Sequence, residues 1–221
     1  MKNTNVENNL KIWDNVDTWI NDGEEWSEHF GDTDTLWKDH IEPRIGINLC
    51  CGKNTLEIAC GRGRMTRKLL ENKIKLNILD VSPTCIDRCK ERFGDKIENY
   101  YVGNGTDLSA IENNSMEFIF SFDSFVHMHK DVINGYLGEI ERVLTLNGEA
   151  WIHHSILSGG NENNFQNIAG RSNMSLIEFA HLAKNHGLKV VQQDKIRWNA
   201  PGNPEWLHDG MTKVKKTIMK L

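Results

Sequence analysis

The chain of 221 residues has no run near the roughly 20 apolar residues that a membrane-spanning helix needs. It also lacks a basic excess. Lys and Arg number 26 against 31 Asp and Glu, a formal net charge of −5. A sequence-independent nucleic-acid binder normally shows a basic surplus or stripe, so the balance gives no electrostatic case for that class and none for a nucleic-acid partner. The polar start, MKNTNVENNL, is without the basic-then-apolar layout of a secretory signal. Five cysteines form no CxxC pair and no regular framework, which points to reduced thiols in a cytoplasmic protein. There is no internal repeat and no low-complexity block. What remains is a mildly acidic globular protein whose 38% hydrophobic content suffices for one core.

Residues 1–50 hold four of the seven tryptophans, Trp13, Trp19, Trp26 and Trp37, among Asp, Asn and Glu. Their spacing predicts short amphipathic helices over 10–21, 24–30 and 33–48, with Pro43 at a helix start or break. We read this part as an N-terminal helical cap and 51–221 as a separate compact unit. From Thr55 a βα rhythm begins. Strands are expected over Thr55–Ala59, Leu76–Val81, Ile97–Val102, Met116–Phe122 and Glu149–His154. Helices fall between them, one entered through Ser82-Pro83 and one over 131–144 closed by Asn147-Gly148. After an Asn/Gly-rich stretch, 158–173, come a helix over 175–186 and two strands, Leu188–Trp198 and Met211–Ile218. The expected fold is therefore α/β, Rossmann-like and doubly wound. Its mainly parallel seven-stranded sheet ends in an antiparallel strand pair.

Ligands of such sheets bind beyond the carboxyl ends of the strands. After the first strand, Gly61 and Gly63 let the backbone turn sharply and pass close to a ligand. Thr66 stands where a dinucleotide fingerprint would carry Gly or Ala. Glu57 lies inside an apolar strand and needs a donor or cation partner. Asp80 ends the second strand, where an acid accepts from both ribose hydroxyls. Asn104 follows the third and offers an amide to a purine's amino edge. Glycine loop, ribose acid and purine reader describe a nucleoside pocket without a device for phosphates. Taken singly, each has a plain structural reading as a turn or a cap.

Over roughly 50–221 the chain resembles the class I S-adenosylmethionine-dependent methyltransferases. LEIACGRGR, NILDVS, VGNGTDL, MEFIFSFDSFVHM and NGEAWIHHS carry the resemblance. It looks most like a bacterial branch with FDSxVH after the fourth strand, associated with capsule and polysaccharide synthesis. The resemblance implies S-adenosylmethionine as cofactor and S-adenosylhomocysteine as product. It implies that Gly61 and Gly63 approach the methionine part, Glu57 orients that loop, and Asn104 and Gly105 flank the adenine. Ala59, Cys60, Val81 and Phe122 complete the implied cofactor set. Asn104 departs from the Asp of many relatives, and Cys60 occupies a slot usually filled by a small residue or Pro.

In that family the loop after the fourth strand borders the acceptor. His127 is the leading general base, because imidazole titrates near neutrality, with Asp123 orienting it or meeting the cofactor's ammonium. His153 and His154 point to opposite faces, so at most one serves the site, and His154 at the strand end is favoured. Asp123, His127 and His154 are the alternative ligand set for a metal, but no clustered Asp-Asp or His-x-His pattern is present and no metal is assigned. Cys85 and Cys89 read as buried thiols rather than zinc ligands. Arg171 is a candidate grip for an anionic acceptor, against the alternative of a solvated arginine. Residues 1–50 serve equally as cover or as lid, with Trp37 or Arg44 near the methionine end. The expected activity is O-methylation of a small polar acceptor, from the resemblance a sugar nucleotide such as a heptose or another phosphorylated capsule or lipopolysaccharide precursor. The protein would act as a monomer or homodimer. The alternatives are N-methylation of a small amine or phosphoramidate, a non-catalytic binding subunit that keeps the cofactor fold, and a nicotinamide-dependent oxidoreductase, which Thr66 and the closing strand pair disfavour.

Overall fold

The computed structural model describes residues 4–46, 51–157, 170–197 and 208–217. The chain divides into two compact units, Met1–Gly105 and Thr106–Leu221. Among the described residues seven strands form one mixed sheet in the order β3-β2-β1-β4-β5-β7-β6.

The first unit supplies β1 (Asn54–Ile58), β2 (Lys75–Asp80) and β3 (Asn99–Val102), parallel throughout, with Ile58 opposite Leu79 and Asp80 opposite Val102. In β1 every residue from Thr55 to Ile58 is buried, as expected of a strand covered on both faces. Helix α4 (Arg64–Leu70) follows β1 and α5 (Pro83–Phe93) follows β2. Ser82 caps α5 by accepting from the Cys85 amide at 3.1 Å, and Pro83 fixes the first helical turn. Cys85, Ile86, Cys89 and Phe93 form its buried stripe.

The N-terminal helices differ from expectation. Helix α1 covers Thr4–Trp13, not 10–21, and is followed by a 3-10 turn, Val16–Thr18. The break has a local cause: Asn15 bends its Oδ1 to the Asp17 amide at 3.0 Å, a bond that competes with helix continuation. Another 3-10 stretch spans Glu24–Phe30. Helix α2 (Thr33–Leu36), a π turn (Trp37–Ile41) and α3 (Glu42–Ile45) then run on continuously, and the π turn sits just ahead of Pro43. A proline removes one helical donor and crowds the preceding turn, which accounts for the irregularity there.

This segment is tied to α4 and α5. Arg67 bonds both Glu24 oxygens at 2.8 and 3.1 Å, and Arg88 pairs with Asp22 at 2.9 Å. The Asp14 carboxylate accepts from the Ser82 and Thr84 hydroxyls at 2.7 and 2.9 Å. Trp13, Trp19 and Trp26 pack on one another, with ring centroids 4.8–6.0 Å apart.

The second unit holds β4 (Met116–Ser121), α6 (Lys130–Val143), β5 (Leu144–Ser155), α7 (Leu176–Asn185), β6 (Leu188–Arg197) and β7 (His208–Lys216). Strand β5 is parallel to β4, and β7 lies antiparallel to both β5 and β6. The stripe Val132, Ile133, Tyr136, Leu137, Ile140 and Val143 buries one face of α6. Asn147-Gly148 does not close that helix. The chain passes from Val143 directly into β5, and Asn147 adopts φ +67° within the strand. There the pairing with β4 jumps from Met116–Leu144 to Phe118–Glu149, a bulge that absorbs the extra residues. Ser175 caps α7 through the Glu178 amide at 3.1 Å, and its own hydroxyl reaches the Glu178 carboxylate at 3.0 Å.

Candidate active site

In the first unit the expected cofactor residues gather at the carboxyl ends of β1, β2 and β3. Ala59 leaves β1 with φ +58°, a left-handed conformation rare for a side chain with a Cβ, and its amide donates to the Leu79 carbonyl at 2.7 Å. Gly61 (φ +55°) and Gly63 (φ +92°) continue the turn into α4. The Gly61 amide donates to Asp80 Oδ2 at 2.8 Å and the Ser82 amide to Asp80 Oδ1 at 2.9 Å, so one buried carboxylate joins the two loops. Burial pushes the Asp80 carboxyl up, and the amides of Ser82, Gly61 and Val81 oppose that push.

Glu57 is 2% exposed and accepts from the Thr66 hydroxyl at 2.6 Å. Thr66 is therefore the partner this buried acid needs, and its place in the former fingerprint position has a structural reason. Burial raises the Glu57 pKa to about 8, with Thr66 and Arg64 pulling it down and Asp80 adding to the rise. The Cys60 thiol is likewise pushed far up by burial, and both Cys60 and Cys89 approach the Gly61 carbonyl, at 3.5 and 3.3 Å. Cys85 is buried as expected. Asn104 is exposed in the loop after β3, beside Gly105 at φ +80°.

The glycines answer first to protein contacts. A Cβ on Gly61 would sit 2.6 Å from the Trp19 ring, one on Gly63 2.4 Å from Phe93, and one on Gly105 2.5 Å from Val6. Trp19, not Trp37 or Arg44, is the N-terminal residue at the glycine loop. Trp37 is buried, and Arg44 donates to the His40 carbonyl at 2.7 Å.

In the second unit β4 ends at Ser121, and Phe122 stacks on His153 at 4.4 Å. Asp123 takes φ +61° and its amide donates to His153 Nδ1 at 3.0 Å. A 3-10 turn, Phe125–His127, brings His127 Nδ1 to 3.1 Å from the Gly170 carbonyl. A carbonyl only accepts, so Nδ1 carries the proton and the basic lone pair of neutral His127 lies on Nε2. Burial holds this imidazole below its ordinary range, against the raising charge of Asp123.

Of the two histidines of β5, His153 rather than the expected His154 meets the β4 loop. His154 is fully buried. Its Nδ1 meets the Ser155 carbonyl at 2.9 Å, its Nε2 meets the Thr212 hydroxyl at 2.8 Å, and its ring stacks on Phe179 at 3.9 Å. Burial lowers its pKa to about 4. His153 is the one that touches the β4 loop, with Nε2 3.4 Å from Asp209 Oδ2. Arg171 is no solvated grip for an acceptor: it is buried and grasps Asp209 through Nε and Nη2 at 2.7–2.9 Å. Burial alone would raise the Asp209 carboxyl, but His153 and Arg171 hold it down at about 2. Sequence reasoning missed Asp209 altogether. Of the stretch 158–173, residues 158–169 lie outside the described ones, as does Trp198.

Residues 55–148 match a family model described as a methyltransferase domain. No curated protein matches the chain. Among solved structures, a putative sarcosine dimethylglycine methyltransferase from Galdieria sulphuraria is similar at 19% identity. That likeness covers 97% of this chain and 99% of that one, with a TM-score of 0.69. The 1,6-didemethyltoxoflavin-N1-methyltransferase of Burkholderia thailandensis, crystallised with 1,6-didemethyltoxoflavin and S-adenosylhomocysteine, is 18% identical. There 96% of this chain and 87% of that one are covered, at a TM-score of 0.64. A TehB-like methyltransferase from Corynebacterium glutamicum gives 19%, 96%, 98% and 0.60 in the same order. At these identities the structures speak for the fold, and the domain match speaks for the chemistry. Residues 55–148 thus make up a methyltransferase domain. The donor set at the strand ends fits S-adenosylmethionine, the cofactor the resemblance implies. A carboxylate offers about four acceptor sites, so Asp80 keeps capacity for ribose hydroxyls beyond its backbone amides, and Asn104 lies exposed beyond β3. Among the described residues no group of His, Cys, Asp and Glu is arranged to hold a metal, and no helix is long and apolar enough to cross a membrane.

Proposed function

We propose that this enzyme methylates a hydroxyl of a small polar acceptor, with His127 as general base. The tautomer of His127 carries the reading: its Nδ1–H is committed to the Gly170 carbonyl, which leaves Nε2 as the proton acceptor. Burial favours the neutral ring, so the base is ready near pH 7. S-adenosylmethionine supplies, when bound, a methyl group on a positively charged sulfur and leaves as S-adenosylhomocysteine. In this reading Asp80 and Asn104 bind the ribose and the adenine, flanked by Val81 and Gly105. Ala59, Cys60, Gly61 and Gly63 shape the turn beside the methionine part, Glu57 supports that turn, and Phe122 completes the set. His127 Nε2 takes the proton from the acceptor's oxygen as the new O–C bond forms, and Asp123 stabilises the resulting imidazolium. His154 has no place in this step, because both its ring nitrogens are engaged.

The acceptor we assign is a sugar nucleotide or another phosphorylated capsule precursor, methylated in the cytoplasm by a monomer or homodimer. In this reading residues 1–50 act as a cap over a catalytic part spanning 51–221. A second reading is N-methylation, favoured by the names of the Galdieria and Burkholderia proteins. One experiment separates the two. A panel of sugar nucleotides, phosphorylated sugars and small amines is offered with S-adenosylmethionine, and S-adenosylhomocysteine release is followed for wild type and His127→Ala. A hydroxyl acceptor with a roughly 10²- to 10⁴-fold loss of kcat in the variant supports base catalysis. Turnover of an amine that survives His127→Ala overturns it in favour of N-methylation.

A further inference from the structure

We propose that the buried Arg171–Asp209 ion pair is a positioning unit that sets both candidate acceptor-side residues, Asp123 through His153 and His127 through Gly170. The inference rests on the proposed roles of His127 and Asp123. Its first arm starts at Asp209 on β7, whose carboxylate receives Arg171 Nε and Nη2 at 2.7–2.9 Å and lies 3.4 Å from His153 Nε2. The other nitrogen of that ring, Nδ1, accepts the Asp123 amide at 3.0 Å. An amide only donates, so His153 Nδ1 is unprotonated and its proton sits on Nε2, which faces Asp209 at 3.4 Å without forming a hydrogen bond. The bond falls on a residue at φ +61°, a backbone conformation that a non-glycine holds only when its surroundings enforce it.

The second arm is shorter. Arg171 is preceded by Gly170, whose carbonyl takes the His127 Nδ1–H at 3.1 Å, and followed by Ser172, whose amide donates to the Val126 carbonyl at 2.7 Å. Clamping Arg171 therefore lays the segment of residues 170–172 against the turn that carries His127. The two imidazoles flanking the ion pair are held in opposite tautomers, His153 with its proton on Nε2 by the Asp123 amide and His127 with its proton on Nδ1 by the Gly170 carbonyl. An ion pair buried this deeply is poor evidence for stability as such, because desolvation offsets most of its attraction. Its two-pronged geometry is what a positioning role requires.

Nuclear magnetic resonance of the full-length protein tests this without any acceptor, so the result stands apart from whether the methyl-transfer reading holds. Long-range proton–nitrogen spectra of the wild type should show His153 as the Nε2–H tautomer and His127 as the Nδ1–H tautomer. The titration of His127 then reports on the charges facing it, Asp123, Arg171 and Asp209. His153→Phe keeps a ring but removes the acceptor for the Asp123 amide. It should move the His127 midpoint down by roughly half a pH unit or more, as the Asp123 carboxylate shifts away. His153→Asn puts a carbonyl oxygen near the Nδ1 position and should restore the wild-type midpoint. Arg171→Lys, which keeps the charge but not the two-pronged grip, should move it as the Phe variant does. A wild-type His153 protonated on Nδ1 overturns the proposal even if a variant fails to fold. So does a His127 midpoint that is the same in the Phe variant as in wild type, or the same in the Phe and Asn variants.

Discussion

Replacing Glu57 with glutamine should make the protein's stability respond less to pH. Glu57 is fully enclosed, and its folded pKa of about 8 stands against an ordinary value of 4.5. Below pH 4.5 the carboxyl is protonated in both folded and unfolded chains, and the variant and wild type should be about equally stable. Between pH 4.5 and 8 the unfolded chain has released the proton that the folded chain retains. Stability then falls by about 1.4 kcal/mol per pH unit. Across the window the loss is on the order of 5 kcal/mol, and at pH 7 roughly 3 kcal/mol of it has already occurred. Glutamine has nearly the same shape, still accepts the Thr66 hydroxyl through its carbonyl oxygen, and has no proton to lose. Urea denaturation at pH 4.5, 6, 7 and 8.5 measures the difference directly. The advantage of Glu57→Gln should open with pH and level off above 8. A difference that stays constant over the series would show that Glu57 ionises normally, and would refute the assignment of burial as the dominant influence.

Other outcomes follow from the same contacts. Gly63→Ala places a methyl 2.4 Å from the Phe93 ring at φ +92° and should cost roughly 2–4 kcal/mol by denaturant unfolding. Asp209→Ala leaves the Arg171 guanidinium buried without its carboxylate and should cost about 3–5 kcal/mol. A milder loss there would mean that Arg171 reaches solvent. The His154 ring, with its pKa lowered to about 4 from 6.5, should show no titration in NMR spectra between pH 5.5 and 8. Its contribution to stability is fully present above pH 6.5 and should decline as pH falls toward 4, by roughly 3 kcal/mol.

Much of this architecture is legible in the sequence because it is written locally. Ser82-Pro83 announces α5, the helix expected over 131–144 is α6, and both appear within a residue of the expected place. Asp80 after β2 and the glycines after β1 follow from strand ends alone. Asn147-Gly148 misleads, since the same dipeptide that ends helices also supplies the positive φ of a bulge inside β5. The left-handed Ala59 and Asp123 carry no local signal, because both are imposed by partners on other strands. Alternation along β5 separates His153 from His154 but cannot say which of them faces the β4 loop. That is settled by Asp209, over fifty residues further along, and by the ring of Phe179. For the same reason Arg171 reads as a ligand grip until its buried carboxylate is seen.

Isothermal titration of the full chain with S-adenosylmethionine, and in parallel with NAD, tests the central claim. The account predicts one-to-one binding of the sulfonium nucleoside, weakened by an Asp80→Ala change, and no heat with the dinucleotide. Binding of NAD with none of S-adenosylmethionine would contradict it.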